Sequence, residues 1–184
     1  MRMQTPRVPP LEDTELSPSA DEMLQPMRRN GRVFNIFRTL AHHPDLGRRW
    51  LVFANHVLYK STLPAREREL VILRIGWLCR SGYEFNQHVA IGQQAGLTEA
   101  EIERIKAGPD DEAWGERDRA LLQATDELKT DAFISDGTWT VLSRHYDTQA
   151  LMDIVFAVGQ YNLVSMALNT FGVQLDPGLP QHEV

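Results

Sequence analysis

Residues 69–88 read ELVILRIGWLCRSGYEFNQH, and this stretch decides the fold. Its first half is apolar on nearly every side of a helix, a pattern that is typical of a fully buried helix. The tripeptide Arg-Ser-Gly at 80–82 interrupts that helix, and a second helix is predicted over Gly82–Gln94. The stretch therefore predicts a buried helix hairpin.

Helical signals recur on both sides of this hairpin. Helix starts are predicted at Ser17-Pro18, Pro44, Pro64, Thr98, Glu116, Asp136 and Asp147, where capping residues or proline precede apolar positions at three- and four-residue steps. No alternating stretch is long enough to demand a β-strand. The sequence predicts an all-α bundle of seven or eight helices with no significant sheet.

Composition sets the class of protein. The proline-rich and polar residues 1–17 are predicted to form a flexible N-terminal arm, and residues 18–184 a single domain. A formal net charge of -6 argues against a nucleic-acid partner. The single cysteine fits a reducing compartment, and neither a secretory signal nor a continuous apolar span is recognised. We expect a cytoplasmic protein without a membrane partner.

His88 is the best candidate for proton chemistry, since the pKa of a histidine is about 6.5 when unperturbed. Glu84 lies one helical turn earlier and Ser81 one turn before that, so all three share a helix face. Glu69 lies where burial should begin, and a buried carboxylate needs a partner. The helical rise of about 1.5 Å per residue lets Glu69 and His88 approach each other across the hairpin. This cluster can move protons without a cofactor.

Simpler interpretations exist for the same residues. Ser81-Gly82-Tyr83-Glu84 also matches the S-x-x-E capping box, so Ser81 and Glu84 can serve only to start a helix. Glu69 can pair with Arg66 or Arg68 as a structural ion pair.

Metal and thiol chemistry are disfavoured by the residues present. Glu84 and His88 offer two metal ligands but no third is recognised, so neither a metal nor a cofactor is expected. Cys79 lies off the helix face of Glu84 and His88, where a small buried side chain is the simplest role.

Three segments carry a family resemblance: LPARERELVIL at 63–73, YEFNQHV at 83–89 and AGLT at 95–98. Together they resemble the carboxymuconolactone decarboxylase / alkylhydroperoxidase D (AhpD)-like superfamily, over about residues 34–172. The resemblance implies an AhpD-like all-α bundle. It also implies self-association into a homo-oligomer, which can be a dimer, trimer or hexamer.

The two branches of this superfamily differ at two positions. In the peroxidase branch a Cys-x-x-Cys pair stands where this chain has Ser81 and Glu84, and a serine cannot undergo thiol–disulfide exchange. The decarboxylase branch resembles this chain in its Glu-x-x-x-His. That likeness implies a cofactor-free lyase or isomerase acting on a small carboxylated or lactone-like substrate. His88 would be the general acid/base, and Glu69 and Glu84 would orient it or relay its proton.

Substrate contacts are assigned by the same analogy to Ser81, Tyr83 and Arg74, the arginine as a positive group for a carboxylate. Two other functions stay open. One is a thiol-dependent alkylhydroperoxidase or peroxiredoxin-type activity through Cys79. The other is a non-catalytic oligomeric binding protein, for which Ser81 and Glu84 would cap a helix and no cavity would lie beside His88.

Overall fold

The computed structural model describes residues 3–28, 32–178 and 181–184. Within them the chain forms nine α-helices, two short 3₁₀ helices and no β-strand. The α-helices are α1 (Pro18–Leu24), α2 (Asn35–Leu40), α3 (Pro44–Tyr59), α4 (Ala65–Leu78), α5 (Gly82–Gln94), α6 (Glu99–Ala107), α7 (Glu116–Asp131), α8 (Asp136–His145) and α9 (Thr148–Phe171). The all-α prediction is confirmed, and the six-residue α2 is the helix beyond the predicted seven or eight.

The hairpin of α4 and α5 lies at the centre of this fold. Helix α4 packs against α5, α6, α7 and α9, and most of its residues are buried, as its apolar pattern predicts. Gly92 lets the two helices approach closely, because a Cβ there would lie 3.2 Å from Cδ1 of Leu73 and 3.0 Å from Cδ1 of Leu97. Side chains on α4 and α5 can therefore meet directly.

The chain reverses between these helices at Arg80, whose φ of 49° is left-handed. The N–H of Ser81 donates to the carbonyl of Gly76 at 2.9 Å, and the N–H of Arg80 donates to that of Trp77 at 2.8 Å. These bonds satisfy carbonyls that the end of α4 leaves unpaired. The interruption predicted at 80–82 is thus made by a non-glycine residue.

Most of the predicted helix starts are confirmed. The side chains of Ser17, Thr98 and Asp147 each accept a hydrogen bond from a backbone N–H in the first turn of their helix. The cap predicted at Asp136 is wrong by one residue. Ser135 holds that position and its Oγ accepts from the N–H of Thr138, because Asp136 already has helical geometry.

Residues before the first helix contact the body of the fold. The N–H groups of Arg7 and Val8 donate to the carbonyl of Phe171, and that of Leu11 donates to the carbonyl of Arg38. These hydrogen bonds attach part of the segment to the fold. The flexible arm at 1–17 and the single domain at 18–184 stay predictions.

Helix α9 is long and apolar enough to cross a membrane by length and composition, although half of the qualifying segment is buried inside the fold. Polar residues interrupt the apolar run of α9, so the sequence shows no continuous apolar span. Almost all of these residues are uncharged, so the mean hydropathy of the helix stays high. A core helix of a soluble protein gives the same pattern, so this is weak support for a membrane span. Its outer side exposes Met152, Val155, Phe156, Leu163 and Met166. Self-association into a homo-oligomer stays a prediction.

Candidate functional site

The structure brings the three predicted catalytic residues together. Nδ1 of His88 lies 2.7 Å from Oε2 of Glu69, and Nε2 of His88 lies 3.0 Å from Oε1 of Glu84. Glu69 comes from α4, whereas Glu84 and His88 are one turn apart on α5. All three are buried, and Glu69 is fully so. An imidazole with a carboxylate on each ring nitrogen holds a proton on both nitrogens.

The charge state of His88 follows from these neighbours. Burial alone would lower the pKa of His88, but the negative charges of Glu69 and Glu84 and their hydrogen bonds raise it to about 10. Arg68 adds a positive charge, with Nε 3.4 Å from Oε1 of Glu69. The predicted structural pair of Glu69 with Arg68 thus exists beside the closer contact with His88. The site holds an imidazolium at neutral pH.

A cavity of about 410 Å³ lies beside His88 and Glu84. Glu69 does not line it and lies behind His88. The walls are mainly apolar and aromatic, with a few polar groups among them. Lining residues come from the α1–α2 region (Pro26, Met27, Arg32, Phe34, Ile36, Phe37), from α3 (Trp50, Leu51, Ala54, Asn55, Leu58, Tyr59), from α5 (Tyr83, Glu84, Gln87, His88, Ile91) and from α9 (Gln160, Tyr161, Val164).

Tyr83 lines this cavity, as expected of a substrate-contacting residue. Its hydroxyl donates to Oδ2 of Asp176 at 2.5 Å, and Gln87 donates to the same oxygen at 2.9 Å. Burial, and then the charge of Asp176, raise the pKa of Tyr83 well above its usual value. Asp176 therefore fixes two side chains of the cavity wall.

The structure corrects the role predicted for Ser81. It precedes α5 at the N-cap position, but its side chain makes no capping hydrogen bond. Its Oγ is buried and has no hydrogen-bond partner among the described residues, and it does not line the cavity. The capping box does not form because Glu84 is directed to His88. Ser81 therefore does not cap α5 through its side chain, and its contact with a substrate stays a prediction.

Arg74 is also placed differently from the prediction. Its Nε and Nη2 each donate to the carboxylate of Asp126 at 2.6 Å, and Nη1 donates to the carbonyls of Ile105 and Lys106. Gly108 leaves the space that the guanidinium occupies, since a Cβ there would lie 2.6 Å from Nη2. Arg74 ties α4 to α6 and α7 and does not line the cavity.

We expect Arg74→Met to lower the free energy of unfolding by about 3 kcal/mol, because it leaves Asp126 without its bidentate partner. This is the lower end of the range for buried pairs, since the Asp126 side chain is 25% exposed. The measurement is urea unfolding at neutral pH. Arg144→Met, which removes an exposed pair with Glu116, should change the stability by less than about 1 kcal/mol. Equal losses in both variants would contradict this role.

Among the cavity residues that the sequence analysis does not assign to the site are Arg32, Trp50, Gln160 and Tyr161. The ring of Tyr161 meets that of His88 edge to face at 5.0 Å. Burial, and then the charges of Glu84 and Glu69, raise the pKa of Tyr161 well above its usual value, so its hydroxyl stays protonated. A polar Gln160 inside the apolar run of α9 was the one signal in the sequence.

Cys79 lies apart from the cavity. It is 6% exposed, and its Sγ lies 3.2 Å from Oδ1 of Asn162. Over the described ranges, no group of three or more His, Cys, Asp or Glu side chains is placed to hold a metal ion. The arrangement thus offers acid/base groups beside an apolar cavity.

Comparisons with known proteins agree with this fold. Residues 44–127 match the sequence model of the Carboxymuconolactone decarboxylase family. An alkylhydroperoxidase AhpD core protein of Ralstonia eutropha JMP134, an uncharacterised peroxidase-related protein, superimposes with a TM-score of 0.80 at 21% identity, covering 95% of this chain and 94% of that chain. A protein of unknown function from Agrobacterium tumefaciens gives 0.69 at 22% identity, over 74% and 94%.

A third structure is the debrominase Bmp8, in a cysteine-to-alanine variant bound to 2,3,4-tribromopyrrole. It gives a TM-score of 0.77 at 15% identity, covering 95% of this chain and 94% of that chain. A search of curated proteins found no match in sequence. Residues 44–127 thus match the Carboxymuconolactone decarboxylase family in sequence, and the chain as a whole has the fold of the AhpD-like structures.

Proposed function

We propose that this protein is a cofactor-free lyase or isomerase that transfers a proton to or from a small carboxylated or lactone-like substrate. The match of residues 44–127 to the Carboxymuconolactone decarboxylase family supports an enzymatic role in general. The observation that carries the proposal is the position of His88 between two carboxylates, of which Glu84 lines the cavity and Glu69 does not. Paired acid/base groups of perturbed pKa in a cavity are typical of active sites.

The contacts of His88 support one direction of proton transfer. Both ring nitrogens of His88 are engaged, so neither is free to contact a substrate while Glu84 stays in place. Glu84 is therefore the group that exchanges a proton with the substrate, and His88 resupplies it. Glu69, held by Arg68, keeps the imidazole oriented and charged.

In the decarboxylase form, the bond between the ring carbon and the carboxylate breaks, and CO₂ leaves. The electron pair stays on that carbon, conjugated with the lactone carbonyl. The imidazolium of His88 gives its proton to the carboxylate of Glu84, Glu84 passes the proton to the carbon, and solvent restores the proton on His88. The hydroxyl of Tyr161, kept protonated by its burial, is positioned on the same wall to donate to the carbonyl.

The positive group for the substrate carboxylate is Arg32 in this proposal, in place of Arg74. Arg32 lines the cavity and its Nη2 donates to the carbonyl of Pro177 at 2.8 Å, and a guanidinium carries further N–H donors. Its side chain is exposed, so it lies where a charged group can enter from solvent. We further propose a cytoplasmic homo-oligomer, on the single cysteine and the exposed apolar side of α9.

Glu84→Gln should lower kcat about 10²- to 10⁴-fold, because glutamine keeps the shape of the side chain but cannot carry the proton. A panel of carboxylated lactones and β-keto acids is incubated in D₂O, and the product is examined by NMR. Wild type should release CO₂ and place deuterium on the carbon that lost it. KM should change much less than kcat, since Glu84 acts in the chemical step.

Glu99→Gln is the matched control, because Glu99 is exposed on α6 and does not line the cavity. It should leave turnover and deuterium incorporation unchanged. Turnover by Glu84→Gln at the wild-type rate would refute the proposed relay. No CO₂ release and no deuterium exchange across the whole panel would argue against the lyase itself.

The alternative of a thiol peroxidase is disfavoured by the position of Cys79, the one cysteine of the chain. Its thiol is buried and does not line the cavity, so a peroxide bound beside His88 would not meet a sulfur atom. A second thiol to form a disulfide within the chain is lacking. Peroxidase chemistry as in relatives with a Cys-x-x-Cys pair therefore has no basis in these residues.

The alternative of a non-catalytic binding protein required a capping role for Ser81 and Glu84 and a closed hairpin. Neither requirement is met, since Ser81 makes no capping bond and a cavity reaches His88. The pair of Glu69 and Arg68 that it also required is present, but it is longer than the contact with His88. The acid/base function is better supported.

A further inference from the structure

Among the residues that the structure describes, two buried polar atoms on cavity residues have no hydrogen-bond partner. They are Nε1 of Trp50, on α3, and Oε1 of Gln160, on α9. A buried donor or acceptor that is left unpaired costs about 1–3 kcal/mol, so such atoms are uncommon unless something else pairs with them. Their presence on the walls of one cavity indicates that a ligand completes them.

The chemistry of the pair is complementary. The indole N–H of Trp50 can only donate, so it needs an acceptor on the ligand. Oε1 of Gln160 can only accept, so it needs a donor, and the Gln160 side chain is 4% exposed. A hydroxyl group can meet either requirement, because it both accepts and donates. A ligand with only apolar substituents would leave both atoms unpaired.

A cation on the cavity wall favours a negative group on the ligand. The positive charges of His88 and Arg68 balance the negative charges of Glu69 and Glu84, so the relay is close to neutral as a unit. Arg32 forms no ion pair with any residue that the structure describes, and it lines the cavity. Asp176 adds a negative charge behind Tyr83 and Gln87, so the position of Arg32 on the cavity wall, and not the net charge, suits one carboxylate.

The walls favour a flat ring. Aromatic side chains reach the cavity from several directions, and its volume of about 410 Å³ suits a ligand the size of a substituted ring. The aromatic lining residues are Phe34, Phe37, Trp50, Tyr59, Tyr83 and Tyr161.

We propose that the cavity binds a hydroxylated cyclic monocarboxylate, with the hydroxyl between Trp50 and Gln160 and the carboxylate at Arg32. This assignment rests on the proposed function, because it names the substrate class for the same site. It adds Trp50 and Gln160 to Arg32 as residues of that site that serve recognition and not proton transfer. Their contribution is therefore to binding, whatever reaction follows.

The test measures binding of three probes to the whole chain by isothermal titration calorimetry. 4-Hydroxybenzoate has all three features, 4-methoxybenzoate lacks the hydroxyl hydrogen, and methyl 4-hydroxybenzoate lacks the charge. We expect each altered probe to bind about 3- to 10-fold more weakly to wild type. The indole N–H resonance of Trp50 should shift on adding 4-hydroxybenzoate.

Three variants assign the contacts separately. Trp50→Phe keeps an aromatic ring and removes the donor, so it should weaken binding of 4-hydroxybenzoate about 3- to 10-fold. Gln160→Met should abolish the preference for 4-hydroxybenzoate over 4-methoxybenzoate. Arg32→Gln should abolish the preference for 4-hydroxybenzoate over its methyl ester. Trp139→Phe, at an exposed tryptophan of α8, should change none of these values.

The outcomes separate the two proposals. If the preferences exist in wild type and persist unchanged in Gln160→Met and Arg32→Gln, the assignment is wrong, and the lyase proposal is unaffected. No measurable binding of 4-hydroxybenzoate also overturns it. If the preferences disappear as expected but no lactone or keto acid is turned over, the recognition site stands and the lyase proposal fails.

Discussion

Replacing Glu69 with alanine should lower the free energy of unfolding by about 3–5 kcal/mol, the range observed when one partner of a buried ion pair is removed. Glu69 is fully buried and supplies the 2.7 Å contact to Nδ1 of His88. Its loss leaves the imidazolium with one carboxylate and leaves Arg68 without its acceptor. Urea unfolding at pH 7, followed by circular dichroism, measures the change.

Two further variants show whether charge or volume is responsible. Glu69→Gln keeps nearly the same shape, so a loss that persists in it reflects the missing negative charge. Glu103→Ala removes an exposed partner of Lys106 and should cost less than about 1 kcal/mol. A loss of less than about 1 kcal/mol in Glu69→Ala would mean that the buried pair is not formed in solution.

The stability of the protein should fall as the pH rises from about 6.5 to about 10. The pKa of a histidine in an unfolded chain is about 6.5, whereas that of the buried His88 is raised to about 10. In this window the folded protein holds a proton that the unfolded chain has released. The free energy of unfolding therefore decreases by about 1.4 kcal/mol per pH unit.

The sign of this dependence distinguishes it from ordinary acid unfolding. The stabilisation from a raised pKa is fully present below the unfolded value and is lost as the pH passes the folded value. Urea unfolding at pH 7, 8, 9 and 10 measures the slope. The ¹⁵N shifts of the His88 ring are recorded in the unaltered protein. They should show that both ring nitrogens stay protonated up to about pH 9.

His56→Gln is the control for this slope, since His56 is exposed. It should leave the pH dependence unchanged, whereas His88→Gln should flatten it. If His88→Gln does not fold, the ¹⁵N titration of the unaltered protein still decides the matter. A ring that loses a proton near pH 6.5 would show that the two carboxylates do not hold His88 charged.

The helices and the core of the site could be predicted because both depend on local sequence. Proline and capping residues mark the helix starts, and Glu84 and His88 share a face through their four-residue spacing alone. Glu69 was found because a carboxylate in an apolar run needs a partner. These signals require no knowledge of distant parts of the chain.

The errors have a physical cause in α4. This helix is apolar nearly all round, so the sequence does not specify which side of it faces which neighbour. Arg74 was therefore placed at the substrate, whereas its guanidinium lies between α6 and α7. Ser81 was misassigned because a capping box and an acid/base pair compete for the same Glu84.

The rest of the cavity wall lay beyond sequence reasoning because its residues come from distant segments. Arg32, Trp50, Gln160 and Tyr161 become neighbours only when α3 and α9 pack beside α5. In the sequence Trp50 and Tyr161 have the spacing of ordinary core residues. Their polar atoms acquire a function only from the tertiary arrangement.

The close spacing of the relay along the chain has a consequence for how the protein folds. Glu69 and His88 are 19 residues apart, so bringing them together closes a short loop at small entropic cost. Trp50 and Gln160 are joined only after much longer loops close. We therefore expect the acid/base pair to form together with its hairpin. Trp50 and Gln160 become neighbours later, when α9 packs beside α3 and α5. We expect a change that weakens the packing of α9 to affect ligand binding at Trp50 and Gln160 more than the contact between Glu69 and His88.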